Sequence, residues 1–464
     1  MAADQVLTVA EMRAAEQALI NGGSDVHELM QRAGRGAADW VWRMAAGRSV
    51  TVLCGPGNNG GDGYVIAETL RQRGVAVQVI AALPPATDAA KHARSKFGGQ
   101  ISAPADNISG GIFVDCLFGS GLTRALSAEL AELLVTLARA HKFRIAIDVP
   151  SGVESDSGEI FGPNQPYDLT LALGAWKRAH FLMPAMASMG TLRLVDIGIA
   201  GGAGVGRNIQ KPVLTRPPAA AHKYQRGLLA IVGGAMPGAG VLAATAAMHA
   251  GAGYVKLLTD KGLGCEPSEL VIDNSELSAA LGDKRINAVL AGPGLGRDSA
   301  ATKRLGQVLA MGGPAVLDAD ALFLLTPEMI AGRSAPLVIT PHEGELAALE
   351  TSFEIKADES KAERAGALAA MMGAVVIAKG PDTVVAAPDG RLAFGPRASP
   401  WLSAAGTGDV LAGIVASRLA NGAAPFDAAC QGVWLHGQAA HLAGFAFTAA
   451  ELAQQVRHAY SACL

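Results

Sequence analysis

The 464-residue sequence predicts two successive α/β domains, each built on a mostly parallel sheet. Three observations predict it. Short β-branched or apolar runs alternate with longer helical patterns along the chain, the rhythm of βαβ units. Several of these runs end in Gly-rich turns that open a helix, as at Gly55-Pro56-Gly57 and Gly406-Thr407-Gly408. The rhythm lapses over Ala200–Gly206 and the Pro-containing Lys211–Pro218, which read as a linker, so the domains are expected at 1–208 and 212–464.

Composition agrees with this. Half of the residues are apolar and 17% are charged, enough to bury a large core; 57 glycines and 5% aromatics suit many tight turns. A net charge of −3 without a long basic run argues against a nucleic-acid partner. No run of 18 uninterrupted apolar residues predicts a membrane span, and no basic-then-apolar leader begins at Met1. Cys54, Cys116, Cys265, Cys430 and Cys463 are scattered, and are read as small buried hydrophobes in a reducing cytoplasm.

Taken in order, Leu7–Trp42 has helical spacing broken into two helices by Asn21-Gly22-Gly23. Ser49–Cys54 is a strand, Tyr64–Arg73 a helix and Val75–Ala81 a strand, a βαβ unit. Strands follow at Ile112–Cys116, Arg144–Val149, Leu169–Leu173 and Thr191–Val195. In the second half strands are expected at Leu228–Val232, Tyr254–Leu258, Ala288–Ala291, Ala315–Leu317, Leu337–Thr340 and Val375–Ala378. Thr383–Ala387 and Arg391–Phe394 form a hairpin across Asp389-Gly390, and Val410–Leu419 a helix.

The loop Gly55-Pro56-Gly57-Asn58-Asn59-Gly60-Gly61-Asp62-Gly63 contains GxGxxG between a strand and a helix, a place for a diphosphate. A redox dinucleotide fold would also end its second strand on an acid for the ribose, whereas here that strand ends Ala81-Ala82-Leu83-Pro84. The loop instead offers two amides and a carboxylate, oxygens for a hard cation and donors for a phosphate. Two more strands end in acids, at Asp115 with Gly119-Ser120-Gly121, and at Asp148-Val149-Pro150-Ser151-Gly152. Carboxyl ends of parallel strands gather ligands, so these loops are expected to meet in one crevice.

In the second half, Gly406-Thr407-Gly408-Asp409 opens a helix whose free N–H groups can hold a phosphoryl group, with Asp409 placed to deprotonate a hydroxyl. Lys379-Gly380-Pro381-Asp382-Thr383 suits a nucleotide phosphate or ribose. Thr340-Pro341-His342-Glu343-Gly344-Glu345 brings an imidazole and two carboxylates to a strand end. Gly292-Pro293-Gly294-Leu295-Gly296 and Pro237-Gly238-Ala239-Gly240 are small-residue turns where a ligand can lie. His222, His249 and His436 lack such company and are read as structural.

On these motifs, across nearly its whole length, the sequence resembles the bifunctional NAD(P)H-hydrate repair enzymes. The resemblance rests on Gly57–Gly63, Asp115 and its Gly-Ser-Gly loop, Asp148–Gly152 and Glu28–Gly34. It continues through His222–Gly227, Gly233-Gly234, His249–Val255, Gly292–Gly296, Thr340–Glu345, Lys379-Gly380 and Gly406–Asp409. It implies a Rossmann-like three-layer αβα domain followed by a ribokinase-like α/β domain. The first would epimerise the R and S forms of hydrated NADH and NADPH. The second would dehydrate the S form with ADP, releasing AMP and phosphate.

It further implies that Asn58, Asn59, Gly60, Gly61, Asp62, Gly119, Ser120, Gly121, Leu122, Thr123, Arg124, Ala125 and Asp148 contact the epimerase substrate. Asn59, Asp115 and Ser151 would hold potassium. Asp148 would serve as acid or base if burial raised its pKa. Ala239, Gly294, His342 and Asp409 would contact the hydrated nucleotide in the dehydratase, with Asp409 catalytic. Lys379, Gly380, Pro381, Asp382, Thr383 and Gly408 would bind ADP or AMP, and Glu345 would hold magnesium through water. A homo-oligomer acting on small molecules, away from membranes, is expected.

Two stretches depart from the family pattern: His342-Glu343-Gly344-Glu345 stands for His-Pro-Gly-Glu, and His222-Lys223-Tyr224-Gln225 for His-Lys-Gly-Asp. A Gly-Thr-Gly-Asp helix start is also compatible with a small-molecule kinase carrying a regulatory domain, and the first half with a nucleotide-binding scaffold. The His342 loop and the full set Asn59, Asp115, Asp148 and Ser151 favour repair.

Overall fold

The computed structural model describes residues 2–103, 109–202, 204–261, 264, 266–356 and 359–464. Met1, Cys265 and Ala203 of the Gly-rich stretch lie outside the described residues. The chain forms two compact units, Met1–Asn208 and Ile209–Leu464.

Among the described residues the first unit is a seven-stranded, wholly parallel sheet. From edge to edge its order is Ile101–Ser102, Val77–Ala81, Val50–Cys54, Gly110–Cys116, His141–Ile147, Leu169–Leu173 and Thr191–Val195. Strands that are buried on both faces can be apolar throughout, and Val50–Cys54 and Leu169–Leu173 are buried at every position. The chain leaves Val50–Cys54 in one direction and returns on its other side at Gly110–Cys116, so strand order reverses there. Such a switch point opens a crevice at the strands' carboxyl ends. Outside it, Gln5–Leu7 pairs antiparallel with Gly206–Asn208 and parallel with Trp176–Lys177.

The predicted strands fall within a few residues of those observed, and the break at Asn21 separates helices Val9–Asn21 and Val26–Ala45. Three readings change. The helix expected from Tyr64 begins at Asn58, because its buried glycines pack closely at the switch point and that packing overrides their poor helix propensity. Helices Asp88–Lys96 and Ala128–Ala140 were not foreseen. The predicted linker is tied down in part: Gly206–Asn208 is a strand and the Leu214 N–H donates to the Cys463 carbonyl at 2.9 Å, while 209–218 form no regular element.

Among the described residues the second unit has nine strands, in the order Val271–Asp273, Tyr254–Leu258, Leu228–Val232, Ile286–Ala291, Ala315–Leu317, Leu337–Ile339, Val375–Ala378, Val384–Ala386 and Leu392–Phe394. The first seven are parallel; the last two are the predicted antiparallel hairpin. Order reverses between Leu228–Val232 and Ile286–Ala291, so here too a crevice opens beside the Gly-rich turns. Helices Pro237–His249 and Thr407–Ala420 pack tightly, Gly413 against the Ala243 carbonyl; a Cβ there would fall 2.1 Å from that oxygen. Gly413→Ala is therefore expected to lower stability by about 1–3 kcal/mol, read from thermal unfolding.

Cys54, Cys116 and Cys463 are buried and Cys430 half-buried, all as free thiols. Among the described residues no helix is long and apolar enough to cross a membrane.

Candidate active sites

In the first unit the predicted residues gather at the switch point. Asn59, in the first helical turn, has its side-chain nitrogen and oxygen both buried without a hydrogen-bond partner. Gly119 lies against it: the position of a Cβ on Gly119 is 3.2 Å from both the Asn59 Cγ and an Asp148 carboxylate oxygen. Gly60 and Gly61 are buried in the same turn, and the exposed Asn58 accepts from the Thr87 hydroxyl at 2.8 Å. Leu122 is buried in the next loop, whereas Gly121, Thr123, Arg124 and Ala125 are exposed. Among the described residues no hydrogen bond ties Thr123, Arg124 or Ala125 to Asp148.

Asp115 is fully buried, and each of its oxygens accepts twice. Oδ1 takes the Ser151 hydroxyl at 2.7 Å and the Leu117 N–H at 3.1 Å; Oδ2 takes the Tyr167 hydroxyl at 2.5 Å and the Ser151 N–H at 3.0 Å. The Ser151 hydroxyl in turn accepts from the Phe118 N–H at 2.8 Å. Asp115 thus ties two strand-end loops together, and Tyr167, which no motif announced, completes it.

Asp148 sits in left-handed backbone, φ +69°, just past its strand. Its Oδ1 accepts from Lys177 and from the Leu173 N–H; its Oδ2 accepts from the Ser120 N–H at 3.1 Å. Burial pushes this carboxyl up, but the Lys177 ammonium and its hydrogen bond, with the Ser120 N–H, hold it below the usual carboxylate range. The raised pKa expected for Asp148 is therefore corrected. The raised carboxyls are its neighbours: burial and the nearby Asp148 charge push Asp62 well up, and burial raises Glu16.

In the second unit the strand-end loops converge on Lys379. Its ammonium donates to Asp318 Oδ1 at 2.7 Å and lies 3.7 Å from Glu345 Oε2. Gly408, at the start of helix Thr407–Ala420, is adjacent, its Cβ position 3.4 Å from the Lys379 nitrogen. Burial and the carboxylate of Asp318 push the half-buried Asp409 up to about 7, against a counter-pull from Lys379. His436, read as structural, meets the same helix: its Nε2 and the Thr407 carbonyl are 2.9 Å apart, and burial lowers its pKa to about 4.

Ala239 and Gly294 meet, the Gly294 Cβ position falling 3.1 Å from the Ala239 methyl. Asp320 holds that turn by accepting from the Gly296 N–H at 2.9 Å and Arg297 Nε at 2.7 Å. His342 caps helix Glu343–Ser352: its Nδ1 accepts from the Gly344 and Glu345 N–H groups, leaving Nε2 as the protonated nitrogen, 3.4 Å from Glu345 Oε1. Glu345 is engaged as well, accepting from the His342 N–H at 2.8 Å. The expected magnesium role of Glu345 rests on the resemblance alone.

In the 379–383 turn, Asp382 is buried and ion-paired to Lys361 at 2.5 Å, and Thr383 exchanges hydrogen bonds with Gly380. Gly380 and Pro381 edge the same turn, Pro381 exposed. Asp318 and Asp320 escaped the sequence reading although each follows a strand, the signal that found Asp115 and Asp148. Lys177 and His180 offered no such signal.

Comparison with known proteins agrees with both halves. Residues 229–460 match the NAD(P)H-hydrate dehydratase family model, and residues 26–179 match that of the YjeF-related protein N-terminus. The bifunctional NAD(P)H-hydrate repair enzyme Nnr of Moorella thermoacetica is 33% identical over 461 residues, spanning 89% of this chain and 87% of that protein. Its namesake in Gloeobacter violaceus is 34% identical, spanning 93% and 92%. Among solved structures, an ADP/ATP-dependent NAD(P)H-hydrate dehydratase from Bacillus subtilis, co-crystallised with ATP and Mg2+, is 28% identical. It covers 54% of this chain and 95% of its own, with a TM-score of 0.48. With a third of residues identical across most of both chains, and both family models matched in order, this chain belongs to the bifunctional NAD(P)H-hydrate repair enzymes.

Proposed function

We propose that the chain restores hydrated NADH and NADPH in two steps: the first unit interconverts the R and S hydrates, and the second dehydrates the S form with ADP, giving AMP and phosphate. The observation that carries this is Asp409, a half-buried carboxyl at a helix start that burial and Asp318 push up to about 7, near the Lys379 ammonium. A ring hydroxyl leaves poorly. Asp409 takes its proton while the N–H groups at Gly408 and the Lys379 charge steady the phosphoryl group passing from ADP. Phosphate then departs with the carbon–oxygen electron pair, and loss of a proton from the neighbouring carbon restores the ring double bond. Ala239, Gly294 and His342 line the place for the hydrated nucleotide, and 379–383 that for ADP.

In the first unit Asp148 is held down by Lys177 and Asp62 pushed up by burial, a pair whose opposed environments suit base and acid. Asn59 fits the expected potassium, since its amide oxygen is buried with no partner; the ion would supply positive charge for the diphosphate. Asp115 already accepts four hydrogen bonds, so its part is to hold Ser151 and the Phe118 backbone in place. Free thiols suit a reducing cytoplasm.

The test is an incubation with a mixture of R- and S-hydrated NADH. With ADP, absorbance at the dihydronicotinamide band returns until both forms are consumed; without it the band stays flat while the R:S ratio relaxes to equilibrium. Recovery that stalls with the R form left over would remove the epimerase half of the reading, and no recovery the dehydratase half.

A further inference from the structure

We propose that Lys177 is the positioning residue of the epimerase site, holding Asp148 as a carboxylate with Oδ2 alone turned to the substrate. This rests on the epimerase reading above. The Lys177 side chain is 1% exposed, and its ammonium donates to three acceptors: Asp148 Oδ1, the Leu173 carbonyl at 2.7 Å and the Ala175 carbonyl at 3.2 Å. Three protons meet three acceptors, so none is left for a substrate, and Lys177 acts only through Asp148.

The same short segment fixes the rest of Asp148. His180 Nδ1 accepts from the Lys177 N–H at 2.9 Å, and its Nε2 meets the Asp148 carbonyl at 2.8 Å. That carbonyl belongs to the left-handed residue, whose own N–H donates to Leu171. Lys177 is itself anchored, its backbone paired with Leu7 in a neighbouring parallel strand. With Oδ1 filled by Lys177 and the Leu173 N–H, the side of Asp148 facing Gly119 and Asn59 is Oδ2.

Lys177 is also the only cation in contact with Asp148 among the described residues. His180 is fully buried and burial lowers its pKa to about 4, so it is neutral. The other groups facing Asp148 are Asp62 from helix Asn58–Gln72 and Glu16 from helix Val9–Asn21, with Arg13 beside Glu16. Neither Asp62 nor Glu16 supplies positive charge to hold Asp148 ionised. Without Lys177, burial and its neighbours would leave Asp148 protonated near neutral pH.

The experiment is the pH profile of R-to-S conversion by the full chain carrying Lys177→Met, with Lys177→Gln as a second uncharged variant that keeps a donor. The base must be ionised, so activity has an acid limb, and removing the cation moves that limb upward by about 1–3 pH units. At neutral pH kcat should fall roughly 10- to 1000-fold, with KM changed by less than about threefold. At alkaline pH, above the displaced limb, the rate should recover to within about tenfold of the unaltered chain. A limb left in place in either variant overturns the proposal. So does a loss in both that persists undiminished at high pH, which would mark Lys177 as a structural prop. An unaltered chain that does not interconvert the hydrates at all would sink the epimerase reading instead.

Discussion

Asp409→Asn is expected to lower dehydration of the S hydrate by about a thousandfold while R-to-S conversion proceeds at its normal rate. Asparagine keeps the shape at the helix start but cannot take the hydroxyl proton. In the unaltered chain the base must be ionised, and Asp409 is raised to about 7, so dehydration should climb as pH rises through neutrality and level off above it. The stability of the second unit should run the other way. A carboxyl whose folded pKa lies above its ordinary 3.8 is protonated longer in the folded chain than in the unfolded one. Stability therefore falls as pH rises from about 4 to about 7 and is flat beyond. The variant lacks that cost, so its Tm should exceed that of the unaltered chain at about pH 8 and approach it at about pH 4. Equal loss of both activities, or a dehydration rate indifferent to pH across neutrality, would remove Asp409 from the base role.

That carboxyl was legible in the sequence because its signal is local: a short Gly-Thr-Gly-Asp run at a helix start. The strands were legible for the same reason, since a strand buried on both faces must be apolar along its length. Partners that arrive from distant segments announce themselves by no such pattern, as Tyr167 shows by reaching Asp115 across 52 positions of chain. Lys177 and His180 were hidden in the same way, because their partner Asp148 lies 29 and 32 positions earlier. Asp148 shows the consequence. From its loop alone a buried carboxyl should titrate high, and the buried ammonium supplied by a distant segment leads the reversal of that sign. The Asn58 helix start was obscured for a different reason: Asn-Asn-Gly-Gly has poor helix propensity, and tertiary packing at the switch point overrides it. Asp318 was in principle readable, as an acid directly after a strand, yet its ion pair with Lys379 closes across 61 positions.

Asp148→Asn is expected to slow R-to-S conversion by about a hundredfold or more, with dehydration of supplied S hydrate unchanged. The backbone should tolerate the change, since asparagine is among the few residues that enter the left-handed region readily, and φ at this position is +69°. The charge balance should not. Asparagine leaves the Lys177 ammonium buried without its counter-charge, and breaking a buried pair from one side costs about 3–5 kcal/mol. Lost activity in the single variant could then reflect a weakened first unit as much as a missing base. The double variant Asp148→Asn with Lys177→Met separates the two, because it removes both charges together. Its Tm should lie above that of Asp148→Asn alone, while R-to-S conversion stays as low at every pH, including the alkaline range where Lys177→Met alone recovers. If the double variant regained the rate along with the stability, Asp148 would be a structural partner of Lys177, and the proton transfer would have to be sought at Asp62 or Glu16.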